Sequence, residues 1–248
     1  MLASVEEAEI VRARLLELFP GGFEERNAPG VVELAVYTDA VGEALLRQAF
    51  DRVSSEAVAP GWEEGWREFH RPVRAGGLWI GPPWWAPSAG ERTVVVDPGR
   101  AFGTGAHPTT RACLELLSGL ERGSLVDAGC GSGVLAVAAV RLGFGPVVAL
   151  DLDPVAVAVA RETARRNAVS VTVRRADVLR DELPSADVVV ANVQLQVVEA
   201  LLRRLRRGVA VTAGYLADEQ PRAPGWEVVR RVELDGWAAH VLAPARGH

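Results

Sequence analysis

Two aspartates and three glycines have the types and spacing of a ligand-binding turn. Asp127 ends a short apolar run, and Gly129, Gly131 and Gly133 follow it at every second position. Asp151 ends the next apolar run, 20 positions beyond Gly131. A carboxylate at this spacing can accept hydrogen bonds from both ribose hydroxyls of a nucleoside. These residues therefore suggest the binding of a ligand that contains a nucleoside.

The acid at position 127 narrows the class of ligand. A carboxylate at the end of the first strand would repel a pyrophosphate but attract a cationic amine or sulfonium. This favours S-adenosylmethionine over a nicotinamide dinucleotide, with Asp151 on the ribose and the amides around Gly129 facing the methionine portion. A purely structural turn between two strands is the alternative for the same residues.

The elements that must position these residues form a parallel sheet. The apolar run from Leu125, the helical pattern Val134–Leu142 and the apolar run that ends at Asp151 make one β-α-β unit, whose crossover places the two strands side by side. Both acids then lie at the carboxyl edge of the sheet, where such folds bind ligands. The same pattern continues with a helix and further strands, over residues 154–167, 169–174, 186–192, 208–213, 226–232 and 236–242. The predicted fold class is α/β, a Rossmann-like doubly wound sheet.

A second glycine-rich segment precedes a predicted helix that runs to about residue 117. It contains Phe102, Gly103, Thr104, Gly105 and Thr110. Loop amides at the N-terminus of a helix favour an anionic group, such as the carboxylate of the methionine portion. The hydroxyl of Thr110 could serve as a helix cap, as a ligand-binding group or as both.

Three polar residues near the ends of predicted elements are further candidates. Asn192 ends a buried strand although asparagine has poor β-propensity, which suggests a positional role. Asp177 follows the third strand, where its carboxylate could accept from an adenine amino group or could be a solvated turn acid. His107 precedes a proline without an evident partner, and we expect it to stabilise the loop.

Residues 1–59 predict a small, ferredoxin-like α+β domain whose first strand is nearly absent. Its expected elements are helices over residues 5–18 and 39–50 and strands over residues 22–26, 31–38 and 53–58. Residues 60–90 are predicted to link it to a domain over residues 91–248. In this linker Trp62, Trp66 and Phe69 share one helical face, which indicates either a helix pinned to the second domain or a wall of the ligand cleft.

Composition excludes several classes of protein. A net charge of −5 provides no global field that attracts nucleic acid, so we expect no direct nucleic-acid binding. The four arginines in the stretch Leu201–Arg207 predict a solvated helix face, with contact to RNA or an acidic partner as the alternative. Cys113 and Cys130 lack metal-ligand spacing and are expected to pack as small apolar residues, so no metal site is predicted. Without a signal-peptide pattern or a membrane-length apolar run, we expect a cytoplasmic protein with no membrane association.

These motifs together resemble the ribosomal protein L11 methyltransferase family. The narrowest of them is the loop Asp97-Pro-Gly-Arg-Ala-Phe-Gly-Thr-Gly-Ala-His-Pro-Thr-Thr110. The other matching motifs are Trp62–Pro72, Asp127–Gly133, Leu150–Pro154 and Val190–Asn192. The resemblance implies a methyltransferase sheet and S-adenosylmethionine-dependent methylation of lysine or N-terminal amines of a large-subunit ribosomal protein. It also implies that residues 1–59 recognise the substrate and that Thr110, Gly129, Asp151 and Asn192 lie at the cofactor site.

Asn192 is the predicted catalytic residue. Its side-chain carbonyl could accept a hydrogen bond from a neutral substrate amine and aim the lone pair of that amine at the sulfonium methyl group. Three departures from the family pattern keep alternatives open: Gln194 and Leu195 after the asparagine, the reduced turn Arg207–Gly208, and the short segment between Tyr215 and Trp226. The alternatives are a catalytically weakened relative that binds the cofactor or the ribosome, and a methyltransferase for another amine or a small molecule.

Overall fold

The chain divides into two compact units, Met1–Glu63 and Glu64–His248. In the computed structural model the described residues are 2–4, 11, 14–15, 18–19, 24–28, 31–36, 38–50, 52–56, 70–97 and 105–245. The domain limits expected from the sequence, 1–59, 60–90 and 91–248, remain predictions.

The first unit contains a three-stranded antiparallel sheet with the order β1-β3-β2. Its strands are β1 (Leu2–Ser4), β2 (Glu24–Ala28) and β3 (Val31–Ala35). Strands β2 and β3 correspond to the strands predicted over residues 22–26 and 31–38, and they pair as a hairpin. Helix α1 (Ala40–Ala49) lies in the segment predicted as a helix over residues 39–50, and Asp39 caps it: its carboxylate accepts from the amides of Val41 and Gly42 at 3.0 and 2.9 Å. Its Leu46 packs with Leu15, Val32 and Leu34 in a small core.

One element predicted for this unit is not formed where the structure describes it. Residues 52–56 contain no strand, although the sequence pattern predicts one over residues 53–58. A ferredoxin-like fold needs a fourth strand at this place. That part of the fold assignment therefore stays a prediction.

The second unit contains a small sheet that leads into the glycine-rich loop. Its strands β4 (Val73–Ala75), β5 (Leu78–Gly81) and β6 (Thr93–Val95) lie in that order, and β4 has no counterpart among the predicted strands. The side-chain amide of Asn167 makes two hydrogen bonds to the backbone of Val95 in β6. It accepts from the Val95 amide and donates to the Val95 carbonyl, both at 2.7 Å. The strand before the loop is therefore held by two hydrogen bonds.

The main sheet of this unit has seven strands with the order β12-β13-β11-β10-β7-β8-β9. They are β7 (Leu125–Ala128), β8 (Val147–Asp151), β9 (Thr172–Arg175), β10 (Val188–Asn192), β11 (Val209–Leu216), β12 (Trp226–Leu234) and β13 (Trp237–Pro244). From β7 the chain proceeds outwards to β8 and β9, then returns to the other side of β7 for β10 and β11. All these strands are parallel, whereas β13 is antiparallel to both of its neighbours.

This order confirms the Rossmann-like doubly wound fold. The point where the strand order reverses lies between β7 and β10, and ligands bind such folds at the carboxyl ends of the strands at this place. All four residues of β7 are buried, which is typical of a parallel strand covered on both faces. Burial on both faces explains why the sequence of this strand is mostly apolar.

Four described helices cover the main sheet: α2 (Pro108–Ser118), α3 (Val134–Leu142), α4 (Pro154–Arg166) and α5 (Leu195–Arg204). Helix α3 has the predicted limits because a left-handed glycine flanks each end, Gly133 and Gly143. Helix α4 begins with a proline behind the capping carboxylate of Asp153. Within the described residues, no helix is both long enough and apolar enough to pass through a lipid bilayer.

Candidate functional site

The candidate site lies at the carboxyl ends of β7, β8 and β10. Asn192 is the last residue of β10, and Asp151 is the last residue of β8. Asp127 is the third residue of β7, opposite Val190 of β10 and Ala149 of β8. The fold therefore brings to one edge three polar residues that are far apart in the sequence.

The carboxylate of Asp151 is held by two backbone amides. Oδ2 accepts from the Gly131 amide at 2.9 Å, and Oδ1 accepts from the Asp153 amide at 3.0 Å. A carboxylate oxygen can accept more than one hydrogen bond, so each oxygen keeps capacity for a ligand hydroxyl. The 20-residue spacing thus corresponds to a direct contact between the glycine turn and the acid.

The amides of the glycine turn are engaged inside the protein. The Gly129 and Cys130 amides donate to the Leu150 carbonyl at 2.8 and 3.0 Å, and the Gly133 amide donates to the Cys130 carbonyl at 2.8 Å. These amides are thus used within the protein, and the expectation that the amides around Gly129 face the methionine portion stays a prediction. A backbone N–H donates one good hydrogen bond, and that of Gly129 is used to tie the turn to β8.

Close packing explains two of the glycines. A Cβ at Gly129 would lie 2.5 Å from Cγ1 of Val193, so this glycine brings the turn against the segment after β10. A Cβ at Gly133 would lie 2.9 Å from Cβ of Ala160, which belongs to α4. Gly133 therefore allows the start of α3 to approach α4 closely.

Asp127 is buried, with 1% of its surface exposed. Its Oδ2 accepts from the Ala136 amide in α3 at 3.0 Å, whereas Oδ1 has no hydrogen-bond partner among the described residues. Burial raises the pKa of this carboxyl to about 7; the Ala136 amide opposes the shift and the charge of Asp151 adds to it. Because the Asp127 side chain is not at the surface, it could affect a bound ligand through the charge of its carboxylate but not through direct contact.

Thr110 and Asn192 are in contact across 82 residues of sequence. The Asn192 side chain donates from Nδ2 to Oγ1 of Thr110 at 3.3 Å, and Thr110 is 1% exposed. Thr110 does not cap the helix, because His107 occupies the cap position with Nδ1 accepting from the Thr109 amide at 3.3 Å. A polar residue directly before a proline at the first helical position is the sequence signal that identifies this cap.

His107 also has the structural role that was expected for it. Its ring lies edge-on to the ring of Trp237, with centroids 4.9 Å apart. Gly105, the described end of the glycine-rich loop, packs on Ile80 of β5. Phe102, Gly103 and Thr104 lie outside the described residues, as do Trp62, Trp66 and Phe69, so the predictions for these positions stay predictions.

Asp177 stabilises a turn. Its Oδ1 accepts from the Leu179 amide at 2.8 Å, and its Oδ2 lies 3.5 Å from Nε of Arg180. These contacts fit the interpretation as a turn acid, and the adenine contact stays a prediction. In the part of the chain that the structure describes, no three His, Cys, Asp or Glu side chains gather in a way that could hold a metal ion.

The arginine run lies only partly on a helix, since α5 ends at Arg204. Arg204 donates from Nη2 to the Asp181 carbonyl at 2.7 Å, and Arg207 donates from Nε to Oγ of Ser185 at 2.7 Å. Arg203 and Arg206 are exposed. Arg203 also lies 3.9 Å from Oε2 of Glu199 in a partly exposed ion pair, so three of the four arginines contact groups of the protein. Because three of the four are exposed, the run still fits the expected solvated surface.

Comparison with known proteins identifies the family. The profile described as "Ribosomal protein L11 methyltransferase (PrmA)" matches residues 31–242. The chain belongs to the ribosomal protein L11 methyltransferase family. It is 38% identical over 196 residues to the ribosomal protein L11 methyltransferase of Lacticaseibacillus paracasei and 40% identical over 194 residues to that of Symbiobacterium thermophilum. Each alignment covers 72% of this chain, and the chain spans 62% and 64% of the length of the two relatives.

The fold is also that of a solved structure with a related name. The ribosomal protein L11 methylase of Lactobacillus delbrueckii subsp. bulgaricus superposes with a TM-score of 0.65 and 22% identity, covering 71% of this chain and all of that one. Against the family pattern, the departures noted in the sequence have structural counterparts. Gln194 is exposed and is the N-cap residue of α5. The segment 217–225 contains turns but no helix.

Proposed function

We propose that the chain is an S-adenosylmethionine-dependent protein N-methyltransferase that acts on lysine or N-terminal amines of a large-subunit ribosomal protein. Family membership and the names of the relatives support the reaction and the substrate class. The observation that carries the proposal is the 3.3 Å hydrogen bond between Thr110 and Asn192 at the switch point. This contact orients a polar side chain beside the edge where a cofactor would lie.

The residues at this edge fit S-adenosylmethionine. Asp151 has the acceptor capacity for two ribose hydroxyls, and the buried charge of Asp127 is complementary to a cationic ligand. Residues 102–105 and Thr110 would hold the methionine portion, and Asp177 would accept from the adenine amino group. When bound, the cofactor supplies an electrophilic methyl group on a sulfonium.

Asn192 would position the substrate amine. The side-chain amide is planar, so the hydrogen bond from Nδ2 to Thr110 also fixes the direction of Oδ1. Oδ1 would accept a hydrogen bond from the substrate amine and so direct the lone pair of that amine at the sulfonium methyl group. Holding two reacting groups in this orientation lowers the barrier to their reaction. An amine with a pKa near 8 to 10.4 is mostly protonated at neutral pH, so it must lose a proton to water before it attacks. Burial and nearby positive charge both lower the pKa of that amine.

The remaining parts of the chain have supporting roles in this proposal. Residues 1–59 would recognise the ribosomal protein, without direct contact to nucleic acid. The site of action would be the cytoplasm, where thiols stay reduced, in agreement with the buried free thiols of Cys113 and Cys130.

The deciding experiment is a methylation assay. The full chain is incubated with methyl-labelled S-adenosylmethionine and whole large-subunit ribosomal proteins, and the products are analysed by mass spectrometry. Label on a lysine or N-terminal amine of one ribosomal protein supports the proposal. Label confined to small molecules, or bound cofactor without transfer, would overturn it in favour of another methyltransferase or a catalytically weakened relative.

The Asn192→Ala variant tests the positioning role in the same assay. We expect turnover at saturating cofactor to fall by about 10² or more, because the orientation of the amine is lost. Asn192→Asp is the matched control: it keeps an acceptor and adds a charge, so it should lose less turnover or shift the pH optimum. Near-normal turnover of Asn192→Ala would show that the side chain serves the fold alone.

A further inference from the structure

The hairpin of β12 and β13 ends in a tight turn, here called the hairpin tip (Asp235–Trp237). Leu234 pairs with Trp237, so two residues make the connection. These residues, Asp235 and Gly236, have φ of 52° and 81°. An Asp-Gly pair with both φ positive is typical of the two-residue turn whose twist matches that of the strands. The turn therefore fixes the place and direction of Trp237 as the first residue of β13.

The hairpin tip lies at the same edge of the sheet as the candidate site. Trp237 is opposite Leu216, the last residue of β11, and β13 is antiparallel to β11. Asn192 ends β10, which is parallel to β11 and next to it. The start of β13 and the carboxyl ends of the parallel strands therefore share one edge.

Two contacts join the hairpin tip to the first turn of α2. The rings of Trp237 and His107 meet edge to face, at 4.9 Å between centroids and 70° between planes. Nη1 of Arg111 lies 3.5 Å from Oδ2 of Asp235. The ion pair contributes little, because its two side chains are 32% and 63% exposed. The aromatic contact is thus the stronger of the two.

The residue that Trp237 contacts determines where α2 begins. His107 accepts from the Thr109 amide through its ring, and its carbonyl accepts from the Arg111 amide at 3.1 Å. Thr110 lies between these two partners and receives the hydrogen bond from Asn192 at 3.3 Å. At 3.3 Å this hydrogen bond is long for an N–H donor, so a small shift of the first turn would break it.

We propose that Trp237 is a positioning residue for the candidate site: it packs on His107, fixes the first turn of α2 and so holds Thr110 against Asn192. The residue lies outside the motifs that mark the site in the sequence. The inference rests on the proposed function where it concerns cofactor binding, but the packing itself can be tested without a ligand.

The ligand test compares two tryptophans of the same hairpin. Trp237→Ala should raise the dissociation constant for S-adenosylhomocysteine, measured by calorimetry, by about threefold to tenfold. Trp237→Phe keeps a ring against His107 and should restore most of the affinity. The control Trp226→Ala removes the tryptophan at the other end of the hairpin, whose Nε1 donates to the Leu202 carbonyl at 2.9 Å. It should reduce stability and leave the affinity unchanged.

The packing test uses amide hydrogen exchange of the ligand-free chain. In Trp237→Ala the Arg111 amide should exchange faster than in the unmutated chain, whereas Trp226→Ala should leave it unchanged. Equal exchange at Arg111 in all three proteins would overturn the proposal, as would unchanged affinity of Trp237→Ala. If the unmutated chain binds no cofactor, the proposed function fails and the exchange result still judges the packing. If Trp237→Ala does not fold, Trp237→Leu takes its place, since it keeps apolar volume without a ring.

Discussion

Asp127 and Asp151 belong to neighbouring strands at the same edge of one sheet, yet the fold gives them different environments. Asp151 is half-buried, and each of its oxygens accepts one backbone amide. Asp127 is buried, has one oxygen without a partner among the described residues, and has a pKa raised to about 7 by burial. The difference arises because α3 covers the end of β7 while the end of β8 stays open.

The comparison shows that position on the sheet edge does not decide the role of an acid. Asp151 can bind a ligand directly, since its oxygens keep acceptor capacity toward the open side. Asp127 can act on a ligand through its charge, and it lies in a place where ionisation is costly. One acid is thus suited to recognition, and the other couples the site to pH.

The largest expected effect is on the pH dependence of stability. Between the ordinary pKa of 3.8 and the folded value of about 7, the folded chain retains a proton on Asp127 that the unfolded chain has lost. The contribution of Asp127 to the free energy of unfolding therefore falls as pH rises from 3.8 to about 7, by up to about 1.4 kcal/mol per pH unit. Above this range the contribution no longer changes. Asp127→Asn should remove this slope. The measurement is the free energy of unfolding by denaturant at a series of pH values.

The slope, and not the absolute stability, is the readout, because asparagine introduces a buried amide of its own. Asp151→Asn is the matched control and should retain most of the slope, because burial raises the pKa of Asp127 more than the charge of Asp151 does. Identical pH profiles for the unmutated chain and Asp127→Asn would contradict the inference that burial raises the pKa of this carboxyl.

The second effect is on cofactor affinity. Asp151→Ala should weaken the binding of S-adenosylmethionine roughly 10- to 100-fold, because a charged acceptor is lost from the site. Calorimetry of the variant and the unmutated chain at one pH measures this. If Asp151→Ala bound the cofactor normally, direct recognition by this acid would be wrong and the contrast with Asp127 would disappear.

Much of this site could be predicted from the sequence where a local rule determines the geometry. The helical pattern predicted the limits of α3, and the β-α-β pattern placed Asp151 at the same sheet edge as the glycine turn. The place of Asn192 at the switch point followed from the parallel strand order. In each case the deciding information lies within one β-α-β unit or in the handedness of its crossover.

What could not be predicted depends on packing between elements distant in sequence. The burial of Asp127 follows from how α3 lies over β7, and the contact of Gly133 is with Ala160 in α4. The contact of His107 with Trp237 joins residues at opposite ends of the second unit. No strand forms over residues 53–56, the described part of the strand expected at residues 53–58, because a segment forms a strand only where a neighbouring strand pairs with it.

The smallest effect distinguishes charge from contact. If Asp127 acts through its charge, the affinity for S-adenosylmethionine should fall as pH is lowered through about 7, since the carboxyl then becomes neutral. A bound sulfonium that lowers this pKa by about one unit would make the change up to about tenfold. S-adenosylhomocysteine, which lacks the sulfonium charge, should show a smaller change.

Calorimetry with both ligands between pH 6 and 8, on the unmutated chain, Asp127→Asn and Asp151→Asn, separates the two acids. Asp151→Asn should bind more weakly and keep most of the pH dependence, whereas Asp127→Asn should lose it. The same pH dependence for both ligands in all three proteins would rule out a role for the charge of Asp127.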